Sequence, residues 1–260
     1  MLAGAALAIG AAPSFSEALT AAEVPLEADI VVMGEAHDAP AHHANQAAWV
    51  ARMGAAAVVF EMLPEALGPV AMAGRGSADL GAALDWEARG WGDFDAYAPI
   101  FAAAGDALIL GAEVGAQDIS RAASDGAAAV YRGPDLGLET SLPPTVQAEM
   151  VAEQDAAHCG LLPEALLPGM VEVQRLRDAA LAAAALEALD RTGGPVAVIT
   201  GNGHARTDRA VPALIARARP DLSVTAIGQG TGGPPDAPFD VWVDGPVPQG
   251  RDGDPCAALR

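Results

Sequence analysis

Glu35, His37, Asp38, His42 and His43 fall within nine residues of a chain in which only 18% of residues are charged. An imidazole beside carboxylates supplies either a general base oriented by an acid or a set of borderline-metal ligands. The group stands directly behind an apolar run, Ile30-Val31-Val32-Met33, and a glycine, Gly34. The arrangement recurs downstream, where Val196 to Thr200 leads into Gly201-Asn202-Gly203-His204. One histidine past a strand is most simply a structural or capping group. His37 and His204, each behind a buried strand with the same Gly-x-x-His spacing, point instead to a shared site. Glycine there lets the following side chains turn back over the sheet edge. A third apolar run, residues 55–60, ends in Glu61. Glu35 and Glu61 would be costly to bury without a cation, a metal or a histidine alongside.

The other histidines are placed less sharply. His42 shares a helix face with Gln46, so one of His42 and His43 is expected at the rim of the site and the other in solvent. His158, before Cys159-Gly160, reads either as a helix C-terminal histidine favoured by the dipole or as part of a lid over the site. No Gly-x-Ser-x-Gly, Walker A or Gly-x-Gly-x-x-Gly motif follows a strand, so serine hydrolase, P-loop and Rossmann readings lack support.

Strands are expected at 30–34, 55–60, 107–111, 195–201 and 222–227, with an edge strand at 239–243. Helices are expected from Asp38, as N-cap with Pro40 in the first turn, to about 53, and irregularly over 79–104. Residues 115–137 read as loop with a short helix from Ser120. Residues 145–190 read as broken helix, and a further helix, capped at Asp208 or beside it, ends at Arg219. The alternation predicts a three-layer α/β fold: a mostly parallel sheet flanked by helices, plus a small helical subdomain. The first two strands are expected as parallel neighbours, bringing Glu35, His37 and Glu61 to one edge.

A net charge of −20 with 14 basic residues argues against nucleic acid or an anionic membrane surface as partner. No apolar run reaches the roughly 18 residues of a membrane span. Residues 2–12 are apolar and precede Ser14-Phe15-Ser16, so residues 1–16 read as a signal peptide cleaved after Ser16. Residues 17–230 form the α/β domain, with 145–190 as a helical insert or lid, and 231–260 form a Gly/Pro-rich tail. The expected location is periplasmic. Whether Cys159 and Cys256 pair is open at this point.

The strings VVMGEAHDAPAHHANQ, VVFEML, Trp86…Trp91…Tyr97-Ala98-Pro99, Gln174…Arg177-Asp178 and VITGNGHARTDRAVP, in that order, resemble the ChaN-like haem-binding proteins of the Tiki/TraB/erythromycin-esterase-like superfamily. The resemblance implies an exported protein that binds haem in connection with iron uptake through a tyrosine-type ligand. It implies Tyr97, His42 and His158 as the cofactor-binding set and leaves a homodimer open. The Tiki branch implies an alternative, a metal-dependent hydrolase with Glu35, His37, Glu61 and His204 as catalytic residues. There His37, Glu61 and His204 would hold a divalent ion. The family's lipoprotein cysteine has no counterpart here.

Overall fold

The computed structural model describes residues 19–233, 237–247 and Cys256. The segment read as a signal peptide, 1–16, and part of the 231–260 tail lie outside these residues. In chain order the elements are β1 (Ile30–Glu35), α1 (Pro40–Met53), β2 (Ala57–Phe60), α2 (Gly68–Gly74), α3 (Leu80–Ala83), α4 (Phe94–Ala103), β3 (Leu108–Gly111), α5 (Ala116–Asp125), α6 (Ala127–Val130), α7 (Pro144–Ala157), α8 (Leu167–Thr192), β4 (Val196–Gly201), α9 (Val211–Ala218), β5 (Val224–Gly230) and β6 (Val241–Asp244). The strands form one sheet in the order β3-β2-β4-β1-β5-β6, and every pairing is parallel. Helices cover both faces, which gives the expected three-layer α/β fold.

Period-two alternation sorts the strand side chains onto two cores. Val31, Met33, Val58, Phe60, Ala197 and Ile199 face Trp49 and Val50 of α1 and the aromatics Trp86, Tyr97 and Phe101. Ile30, Val32, Ala57, Val59, Val196 and Val198 face α8, with its run of buried alanines, and Val211 and Ile215 of α9. A parallel sheet covered on both sides needs such continuous apolar strands.

Four expectations are corrected. β1 and β2 are parallel but not neighbours, because β4 lies between them. Asp38 does not cap α1: the N-cap is Ala39, with no side-chain cap, and Pro40 supplies the first turn. Nor is the 145–190 region an insert as a whole. α8 is a layer of the sandwich, packed on β2, β3 and β4 and burying Val173, Leu176, Leu181 and Leu189, and only α7 lies over the strand ends. The 115–137 stretch carries two helices, α5 and α6, rather than mostly loop. Cys159 and Cys256 form a disulfide with Cα atoms 5.5 Å apart, fastening the chain's end beside the last turn of α7.

The order of the sheet creates the crevice. β1 leads through α1 on one face to β2, whereas β4 leads through α9 on the other face to β5. Adjacent strands whose connections diverge leave an opening beyond their carboxyl ends, where open α/β sheets bind ligands.

Candidate functional site

At that opening Glu35 pairs in register with Gly201, the last residue of β4. Glu35 is buried, and its Oε1 gathers three groups from the α1–α4 face. His37 Nδ1 lies 2.8 Å away, the Tyr97 hydroxyl donates at 2.6 Å, and His43 Nε2 is 3.5 Å away. Burial alone would raise the carboxyl, but the histidine hydrogen bonds and charges outweigh it and bring Glu35 down to about 2. Burial and the adjacent carboxylate push the Tyr97 phenol far above its ordinary value, so it stays a neutral donor. His37 is pulled down by burial but held above its usual value by Glu35 and Glu61. Its side chain is 41% exposed, and the edge bearing Nε2 lies over Gly201.

The α8 face carries the second group. Glu61 accepts from the Thr200 hydroxyl at 2.7 Å and from the Gly201 N–H at 2.8 Å, and His204 Nε2 stands 3.4 Å from its other oxygen. His204 Nδ1 lies 2.7 Å from Asp178, with the Gln174 amide 3.2 Å from the same nitrogen. Burial would discharge His204, yet Glu61 and Asp178 on either side push it up to about 10. It is therefore an imidazolium held between two carboxylates at neutral pH. Glu61, disfavoured by burial, is kept well below the usual range by His204, while burial leaves Asp178 above its own.

The two Gly-x-x-His glycines now have distinct reasons. A Cβ on Gly34 would lie 2.5 Å from the Asn202 side chain and 2.9 Å from the Ile227 carbonyl, so only glycine lets the second motif's loop close over β1. Asn202 stitches that loop to β5 by bonds to both backbone groups of Gln229. A Cβ on Gly201 would lie 3.0 Å from His37 Nε2, so its absence keeps the space between the two clusters open.

A cavity of ≈ 400 Å³ runs over this point, lined among others by His37, Glu61, Gln174, Arg177 and His204, with α7 as its wall. On the other side of His37 lies a second cavity of ≈ 400 Å³, lined by Pro40, His43, Trp91 and Ala96. The ring of Trp91 meets His37 edge-on, with centroids 5.4 Å apart.

The structure thus brings Glu35, His37, Glu61 and His204 to one edge, as expected from their strands. Among the described residues, however, no group of three or more His, Cys, Asp or Glu is arranged to hold a metal ion. Glu61 and His204 are bonded to each other and to Asp178, Thr200 and Gly201 instead. Tyr97, His42 and His158 do not form a common set. Tyr97 is buried and bonded to Glu35, presenting no phenol at a surface. His42 spends Nδ1 on the Ala36 N–H and Nε2 on the Gly230 carbonyl, which fixes the β1–α1 turn to β5. His43 is not in solvent but is buried with its ring tilted against Tyr97, centroids 4.0 Å apart. His158 closes α7, its Nδ1–H donating to the Gln154 carbonyl, and lines neither cavity beside His37. Asp178 and Thr200 complete the site without having been chosen from the sequence. The polar stripe Gln174-Arg177-Asp178 on an alanine-rich helix was the available signal for Asp178.

Residues 22–215 match the family model described as haem-binding uptake, Tiki superfamily, ChaN. The fold is similar to that of ChaN of Campylobacter jejuni, solved as a cofacial heme complex, at 19% identity and a TM-score of 0.63 over 84% of this chain and 87% of that one. It is also similar to the type III effector HopBA1, at 14% identity and a TM-score of 0.44 over 85% and 88% of the two chains. No curated protein sequence matches.

Proposed function

Since the chain belongs to the ChaN family of haem-binding uptake proteins, within the Tiki superfamily, we propose that it binds haem at the carboxyl edge of its sheet as an exported protein serving iron uptake. The observation that carries this reading is the family match, whose span of residues 22–215 includes both Gly-x-x-His motifs. Some of the groups such a ligand uses are spread over the two cavities on either side of His37, and Glu61, Glu153 and Asp178 also line the one that holds Arg177. Haem needs a donor for iron, apolar and aromatic surface for the macrocycle, and cations for its carboxylates. His37 offers a half-exposed imidazole, Trp91, Pro40 and Ala96 offer apolar surface, and Arg177 offers a guanidinium. The two cavities fall within the roughly 300–1,000 Å³ typical of small-ligand sites. Haem supplies the redox-active iron, and the protein's part is to bind and orient it.

The Cys159–Cys256 disulfide supports export, since such bonds persist in oxidising compartments. A periplasmic location follows from the same reading. Titration of purified apo-protein with hemin tests the proposal. A saturable shift of the Soret band is expected, and a spectrum that stays that of free hemin would overturn it.

A further inference from the structure

We propose that a further cavity, of ≈ 460 Å³, binds a single-chain amphipathic carboxylate, with its apolar chain among leucines and its head group on Arg217. The cavity lies between the 136–143 segment and helices α7, α8 and α9. It is separate from the sheet edge: Met150, Asp178 and Arg209 line both this cavity and the one beside His37, and so form the partition between them. The proposal therefore stands independently of the haem-binding reading.

The shape and lining suit an alkyl chain. Leu136, Leu138 and Met150 are buried, and Leu142, Val146 and Leu214 are half-buried where they line the space. Apolar surface of this kind gains by excluding water, and the volume is that of a small-ligand site. The rim is also held in shape. Arg175 Nη2 donates to the Leu138 and Thr140 carbonyls at 2.7 and 3.0 Å, and the Gly137 N–H donates to Asp135 at 2.8 Å.

Charge selects the head group. Arg175 is answered by Glu172, and Arg209 by Glu149, Glu153 and Asp208. Asp208 is answered by Arg206 as well, and Asp178 by His204. Among the charged residues of the lining, Arg217 alone has no ion pair or hydrogen bond among the described residues. It is exposed, at the mouth, and its guanidinium lies across Gly137. Gly137 has a φ of 75°, and a Cβ there would collide with Nε and Cζ of Arg217. The glycine thus reserves the place of the one unanswered charge. A carboxylate can take two parallel N–H···O bonds from a guanidinium and cancels its single charge. A phosphate monoester, at about −1.5 to −2, would bring more charge than this rim answers, with Asp208 alongside.

Calorimetric titration of the full chain with decanoate tests the proposal. Saturable one-to-one binding is expected, with decyl phosphate binding more weakly. Arg217→Gln should lower the decanoate affinity about tenfold, while decan-1-ol, which carries no charge, binds variant and wild type alike. Gly137→Ala should repeat the effect of Arg217→Gln by displacing the guanidinium. Leu214→Trp, placed to fill the cavity, should abolish binding of decanoate and decan-1-ol with the circular dichroism spectrum unchanged. Hemin added first should leave the decanoate affinity as it was. Absence of decanoate binding to wild type would overturn the proposal. So would equal affinity in Arg217→Gln, tighter binding of decyl phosphate, or competition from hemin.

Discussion

Buried carboxylates are expensive unless something answers their charge, and here each has its own imidazole. Glu35 is answered by His37 and His43, and Glu61 by His204, which Asp178 braces from the other side. The pairing makes folding depend on pH in a defined direction. Glu35 falls from 4.5 to about 2 on folding, so its contribution is complete above pH 4.5 and is lost as pH drops toward 2. Glu61 acts in the same sense, whereas the raised carboxyl of Asp178 works the other way. His204 rises from 6.5 to about 10, so its contribution is complete below pH 6.5 and fades as pH climbs toward 10; His37 adds in the same sense. Urea unfolding across pH should therefore show a plateau of stability between pH 4.5 and 6.5 with losses on both sides. A flat profile from pH 6.5 to 10 would contradict the imidazolium at His204. The histidines and the two glutamates were legible because each follows an apolar run within a few residues. Asp178 is marked in the sequence only as one of the polar residues Gln174, Arg177 and Asp178 in an alanine-rich stretch. Its partner His204 is 26 positions away, and nothing local in the sequence states that the two will meet.

Strands were easier to read than helix ends. Apolar runs placed the central strands β1 to β4 to within a few residues, because a parallel sheet covered on both faces admits little else, while β5 and the alternating edge strand β6 carry polar residues. Neighbour order was not legible: β1 and β2 are separated by β4, a choice made by packing of α1 and α8 on opposite faces rather than by any local signal. The end of α1 shows what was locally encoded, with Gly54 in the left-handed conformation at φ 59° and Arg52 in the last turn. Its start shows what was not, since Asp38 has the right chemistry for a cap and Pro40 does the work alone. Gly34 tests how tightly the central strands and the second motif interlock. Replacing it with alanine drives a methyl into the Ile227 carbonyl and Asn202, with no flexible far end to yield on the backbone side. Gly34→Ala should destabilise by about 1–3 kcal/mol or more in denaturant titration. The same change at Gly54, where nothing lies within 4 Å, should cost only the strain of its positive φ.

The molecule as a whole is a single sandwich whose far end is fastened by one covalent link. Cys159 and Cys256 are separated by 97 positions, and closing a loop of that size removes about 4.7 kcal/mol worth of unfolded-chain entropy in the loop-closure model. Cys159→Ser should therefore lower the melting temperature measurably, and reductant should reproduce the loss in wild type while leaving the variant unmoved. Insensitivity of wild type to reductant would show that the link contributes little. Cys159 follows the wall helix α7, so the same variant should loosen the cavity's outer side before its floor, as hydrogen exchange along α7 would report.

Gly201 reaches Glu61 from 140 positions further along the chain, and β4 must enter between two strands made long before it. No amino-terminal fragment that stops short of β4 can therefore own the site, however well its first strands and helices form. During synthesis the pocket has no precursor: its floor, its bracing acid and its second histidine arrive together, after most of the polypeptide exists. A chain still extended, in whatever channel or compartment, has nothing to offer a ligand. The place where this protein finishes folding is thus also the first place where it can be loaded.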